Sequence, residues 1–145
     1  ILNNKLFILS MNKSIILKTF LSQFSDLMED VVKIFPNDKE IFTAKLYFEG
    51  IKKVNPRLLI TSWKILIADN YEKEISSNNY DFFLKKDYKE DIDYMAKKRN
   101  WEGDYAYINE NIETLRDKIA SESLHNKEMT MKYINNLTKL SKLYI

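Results

Sequence analysis

Apolar side chains recur at steps of three and four along almost the whole chain, the spacing of one face of an α-helix. From Ser14 to Phe35 the stripe is Leu17, Phe20, Leu21, Phe24, Leu27, Met28, Val31 and Phe35. Lys18, Ser22, Ser25, Glu29 and Lys33 fall mostly on the other side. Pro36 disfavours helical geometry at the residue before it, so this first helix should end at Phe35. Asn37 then offers an N-cap, with Glu40 three residues on in a capping-box position. The second helix should turn Ile41, Ala44, Phe48 and Ile51 inward. Gly50 inside it is less favourable than alanine by about 1 kcal/mol, and the expected reason is close approach of a neighbouring helix.

Asn55-Pro56 is the sharpest boundary, because asparagine caps and proline at the first helical position loses no hydrogen bond. The third helix carries Leu59, Ile60, Trp63, Leu66, Ile67 and Tyr71, with Leu58 and Ile65 off that stripe. Apolar around most of its girth, it is expected to be the central, most buried element. Ser76-Ser77-Asn78-Asn79 reads as a loop. Residues 80–106 are dense in aromatics and charge, which predicts one or two short helices with irregular joints folded back over the core. The last third reads as helix from Ile108 to Tyr144 in two stripes: Ile108, Ile112, Leu115 and Ile119, then Met129, Tyr133, Leu137, Leu140 and Tyr144. Polar residues at the linking core positions, Glu122 and Asn126, predict a break between Ser121 and Asn126. No segment alternates like a half-buried strand, and no Asn-Gly or Asp-Gly hairpin signal occurs. The fold class is therefore all-α: a compact bundle of five to seven helices with a long C-terminal helix or helical hairpin.

Length and composition narrow this only slightly. The chain has 145 residues, 45% hydrophobic and 30% charged, which fits one globular domain and excludes a disordered chain. With 23 basic and 21 acidic residues the formal charge is +2, so no large field exists to capture nucleic acid. Cysteine is absent, which excludes disulfides. No apolar run approaches the roughly 18 residues of a membrane span, so membrane insertion is not expected. The basic residues are lysine except for Arg57, Arg99 and Arg116, and asparagine, isoleucine and tyrosine are abundant, a usage that suits an AT-rich genome. Because the chain begins at Ile1 and Met11-Asn12-Lys13-Ser14 looks like a natural start, residues 1–10 are expected to be a non-native or disordered leader and 11–145 a single helical domain.

Candidate chemistry is thin. Catalytic and phosphate-binding loops usually need glycine for close backbone approach, and here only Gly50 and Gly103 occur, far apart. Asp87, Glu90, Asp91 and Asp93 could gather oxygen ligands, but the EF-hand spacing and its glycine are missing, so a solvated helix N-terminus is the better reading. Asp81-Phe82 and Asp87-Tyr88 supply two carboxylates whose spacing sets no separation. His125 stands alone, with Glu122 and Glu128 at helical spacing, a pattern too common to be specific. No catalytic, cofactor-binding or metal residues are assigned, no cofactor is expected, and the chain is read as a non-enzyme. Lys85, Lys86, Lys97, Lys98 and Arg99 interleave with Tyr88, Tyr94 and Trp101, the ingredients of single-stranded nucleic-acid binding, yet the same segment carries four carboxylates that repel phosphate.

Phe35-Pro36, Asn55-Pro56-Arg57 followed by Trp63, Asp81-Phe82-Phe83, Lys86-Asp87-Tyr88 and Tyr133-Ile134-Asn135-Asn136-Leu137 together resemble a set of small helical proteins encoded by nucleocytoplasmic large DNA viruses, the giant viruses. The resemblance runs from about Phe20 to Tyr144 and rests on the order of these motifs; residues 92–106 match poorly and residues 1–10 not at all. It implies a viral setting and a place in the particle or its assembly, in the virion or the infected-cell cytoplasm. No functional residue is carried over from it.

The expected function is that of a non-enzymatic viral helical protein acting through protein–protein contacts, a minor virion or capsid-associated component. The partner would be another viral protein, capsid protein included. Tyr88, Tyr94 and Trp101, with an outer face of Leu137, Leu140 and Tyr144, are the expected contact residues, since aromatics are enriched at interface hot spots. The alternative is a nucleic-acid-binding or transcription-associated factor using Lys85, Lys86, Lys97, Lys98 and Arg99.

Overall fold

A computed structural model describes the backbone of residues 2–79, 81, 84 and 104–144, and side-chain surroundings for 12–79, 81, 84 and 107–144. Among the described residues every regular element is a helix and none is a strand. In chain order they are α1 (Leu2–Ile34), α2 (Lys39–Val54), α3 (Pro56–Trp63), a π-helical turn (Lys64–Ala68), α4 (Asp69–Ser76), α5 (Asp104–Ala120) and α6 (Leu124–Leu143). The bundle and its long C-terminal helix match the all-α expectation.

The first helix stops where proline dictates, one residue before Phe35. At its other end it continues back to Leu2, so the backbone of residues 2–10 extends α1. The cap of α2 is Asp38, not Asn37: its Oδ1 accepts from the Glu40 N–H at 2.9 Å and the Ile41 N–H at 3.2 Å. A carboxylate satisfies these orphan donors and also meets the positive end of the helix dipole, which an amide does less well. The Asn55-Pro56 boundary falls where the pattern puts it, with the Asn55 side chain accepting from the Leu58 N–H.

The predicted third helix is interrupted. Between Lys64 and Ala68 the turn widens, and the Asp69 N–H reaches back five residues to the Lys64 carbonyl. The Asn70 side-chain amide donates to the Ile65 carbonyl at 2.9 Å, supplying a donor within the widened turn. One extra residue in the turn lets Leu66, Ile67 and Ala68 be buried in succession before Tyr71 and Ile75 resume the inward stripe. Tyr71 itself leaves helical geometry, at φ −130° and ψ 17°. This α3–π–α4 segment packs on α1, α2 and α6, the central position its girth of apolar residues implied.

The core is led by an aromatic cluster. Phe24 stands edge-on to Phe48, with ring centroids 4.9 Å apart, and to Trp63 at 6.0 Å, while Phe20 meets Trp63 at 6.3 Å. Three helices thus share one set of rings, and truncating Phe24 to alanine should remove about 3–5 kcal/mol. The chain breaks at residues 121–123, as the polar core positions predicted, and Ser123 caps α6 by accepting from the Asn126 N–H. The Ile108, Ile112, Leu115 and Ile119 stripe of α5 is buried as expected.

The inward face of α6 is rotated from the predicted one. Its deepest residues are Thr130, Met131, Ile134, Leu137, Thr138 and Ser141, while Met129, Tyr133, Leu140 and Tyr144 lie on its flank. Small hydroxyl residues can sit at the centre because each bonds within the helix: Thr138 Oγ1 donates to the Ile134 carbonyl and Ser141 Oγ to the Thr138 carbonyl, both at 2.8 Å. Their small volume lets α6 lie close to the π turn and α3, and Trp63 Nε1 donates to Thr138 Oγ1 at 3.1 Å in that seam.

Candidate contact surface

Few of the residues that sequence reasoning singled out fall among those the structure describes. Tyr88, Tyr94, Trp101, Lys85, Lys86, Lys97, Lys98 and Arg99 lie outside the described residues, as do Asp87, Glu90, Asp91 and Asp93 and the predicted elements of residues 85–103. Leu137 is fully buried and cannot form an outer face; it belongs to the inward stripe of α6. Leu140 and Tyr144 are half-buried and pack against the core, with Lys13 Nζ 4.8 Å above the Tyr144 ring. His125 is exposed, and Glu122 spends its carboxylate on the Ser123 N–H at 3.2 Å. Among the described residues no three His, Cys, Asp or Glu side chains gather in a way that could hold a metal ion.

Several large apolar residues of the described chain are exposed, and two of them lie together on α2. On α2, Phe42 is 54% exposed and Leu46 is 52% exposed, one helical turn apart. The buried residues of this helix are Ile41, Ala44 and Phe48, so at about 100° per residue Leu46 points nearly opposite to the core. The next position on the same face is Gly50, and a methyl group added there would meet nothing within 4 Å. The expected close approach of a neighbouring helix at Gly50 is therefore not made within the described chain, and the position opens outward.

Shallow grooves flank the first half of this face. One is lined by Val32, Phe35 and Pro36 together with Phe42, where α1 ends and α2 begins. The other is lined by Thr43 of α2 with Tyr107, Asn111 and Thr114 of α5, and Tyr107 is itself 60% exposed. Charges ring the apolar centre: Lys45 pairs with Glu49 at 3.7 Å on one flank, and Lys118 of α5 pairs with Asp38 at 3.0 Å and Glu40 at 3.7 Å at the helix start. The Lys118 ammonium and the two capped amides hold the Asp38 carboxyl below its ordinary range, and Asp38 in turn raises the Lys118 ammonium. The N-terminal turn of α2 is thereby tied to α5.

Sequence reasoning missed Phe42 and Leu46 because only the inward stripe was followed on α2. Their signal was present: two large apolar residues at i and i+4, on the side opposite Ile41, Ala44 and Phe48. Among the described residues no helix is long and apolar enough to cross a membrane. Comparison of the chain with family models, curated proteins and solved structures gives no match.

Proposed function

We propose that this chain is a non-enzymatic helical protein of viral origin that works through protein–protein contact, as a minor virion or capsid-associated component, with the outer face of α2 as its contact surface. The observation that carries the reading is the exposure of Phe42 and Leu46 one helical turn apart on the outer face of α2. Large apolar side chains that adjoin on a surface within a rim of charge favour contact with another protein. The motif order of the sequence supports the viral setting.

Quantitative mass spectrometry of purified particles from the encoding virus tests this. The wild-type chain should be recovered at a fixed ratio to the major capsid protein. Leu46→Glu, which alters only an exposed side chain, should fold normally and be lost from the particle. Absence of the wild-type chain from particles removes the virion role, and retention of the folded Leu46→Glu variant removes the α2 face as its contact.

A further inference from the structure

We draw no further inference here: the strongest candidate, the exposed apolar patch of Phe42 and Leu46 on the outer face of α2, belongs to the contact surface already described, and nothing in the structure shows what covers it.

Discussion

The Tyr133 hydroxyl donates a 2.8 Å hydrogen bond to Asp30 Oδ2, joining α6 to α1 across 103 residues of chain. Lys13 lies over Tyr144 at the other end of the same seam, so the two helices run antiparallel, locked at both ends by a polar contact on their flanks. The interior between them is apolar and non-directional; the Tyr133–Asp30 bond adds the register that apolar burial alone does not specify.

Removing that hydroxyl should therefore be felt. Tyr133→Phe keeps the ring and its packing but leaves the Asp30 carboxylate without its donor. A half-buried hydrogen bond to a charged group is worth about 1–2 kcal/mol, and urea denaturation of the variant should show a loss of that size with an unchanged slope. A loss below about 0.3 kcal/mol would mean that water replaces the bond without cost.

The same pair makes stability fall at alkaline pH. Hydrogen bonding to Asp30, then burial, then the negative charges of Asp30 and Asp26 push the Tyr133 hydroxyl up to about 12 from 10.0. In the unfolded chain the phenol ionises at its ordinary value. The contribution is thus complete below pH 10 and disappears as pH rises to 12. Denaturation midpoints of wild type and Tyr133→Phe should differ at pH 8 and converge toward pH 12.

Thr138 offers a cleaner test of the inner seam. It is buried and accepts from Trp63 Nε1 while donating to its own helix. Thr138→Val preserves shape but strands a buried indole N–H, at a cost of about 1–3 kcal/mol. Thr138→Ser keeps the acceptor and should recover most of that, leaving only the lost methyl. If valine and serine prove equally stable by thermal denaturation, the indole bond contributes nothing.

Periodicity made the inward faces of α2, the α3–π–α4 segment and α5 readable, because burial of an apolar stripe is the term that dominates helix placement. It failed on α6 for a physical reason: Thr130, Thr138 and Ser141 hide their hydroxyls by bonding within the helix, so small polar residues occupy core positions that a hydrophobic count passes over. The cap at Asp38 was missed because Asn37 and Asp38 are both good caps, and the choice is made by Lys118, distant in sequence. Leu137 was read both as part of the inward stripe and as part of an outer contact face, and only the first reading holds, because a residue of the stripe has no outward side to offer. The contact face was legible in kind, since Phe42 and Leu46 stand off the inward stripe, but its exposure depends on α1 and α5 leaving it open.

Asp38 should act through two separable roles. Asp38→Ala removes both the α2 cap and the partner of Lys118 and should lower the thermal midpoint more than any other substitution in that cluster. Asp38→Asn keeps a side-chain acceptor for the Glu40 and Ile41 amides and should recover part of the loss. Because the Asp38 carboxyl is held below its ordinary 3.8, its stabilisation is present above that pH and is lost as pH falls through the lowered value. Wild type and Asp38→Asn should therefore differ at pH 6 and draw together in strong acid; a constant difference would assign the effect to geometry alone.

Gly50 should show that its exposed α-carbon is not there for the stability of the isolated fold. Its backbone is helical, without positive φ, and a methyl group there meets nothing within 4 Å. Alanine removes backbone freedom from the unfolded chain and has the better helix propensity, so Gly50→Ala should stabilise the monomer by about 0.5–1 kcal/mol in dilute urea titrations. A destabilised Gly50→Ala monomer would mean instead that the space above the residue is filled by the chain itself.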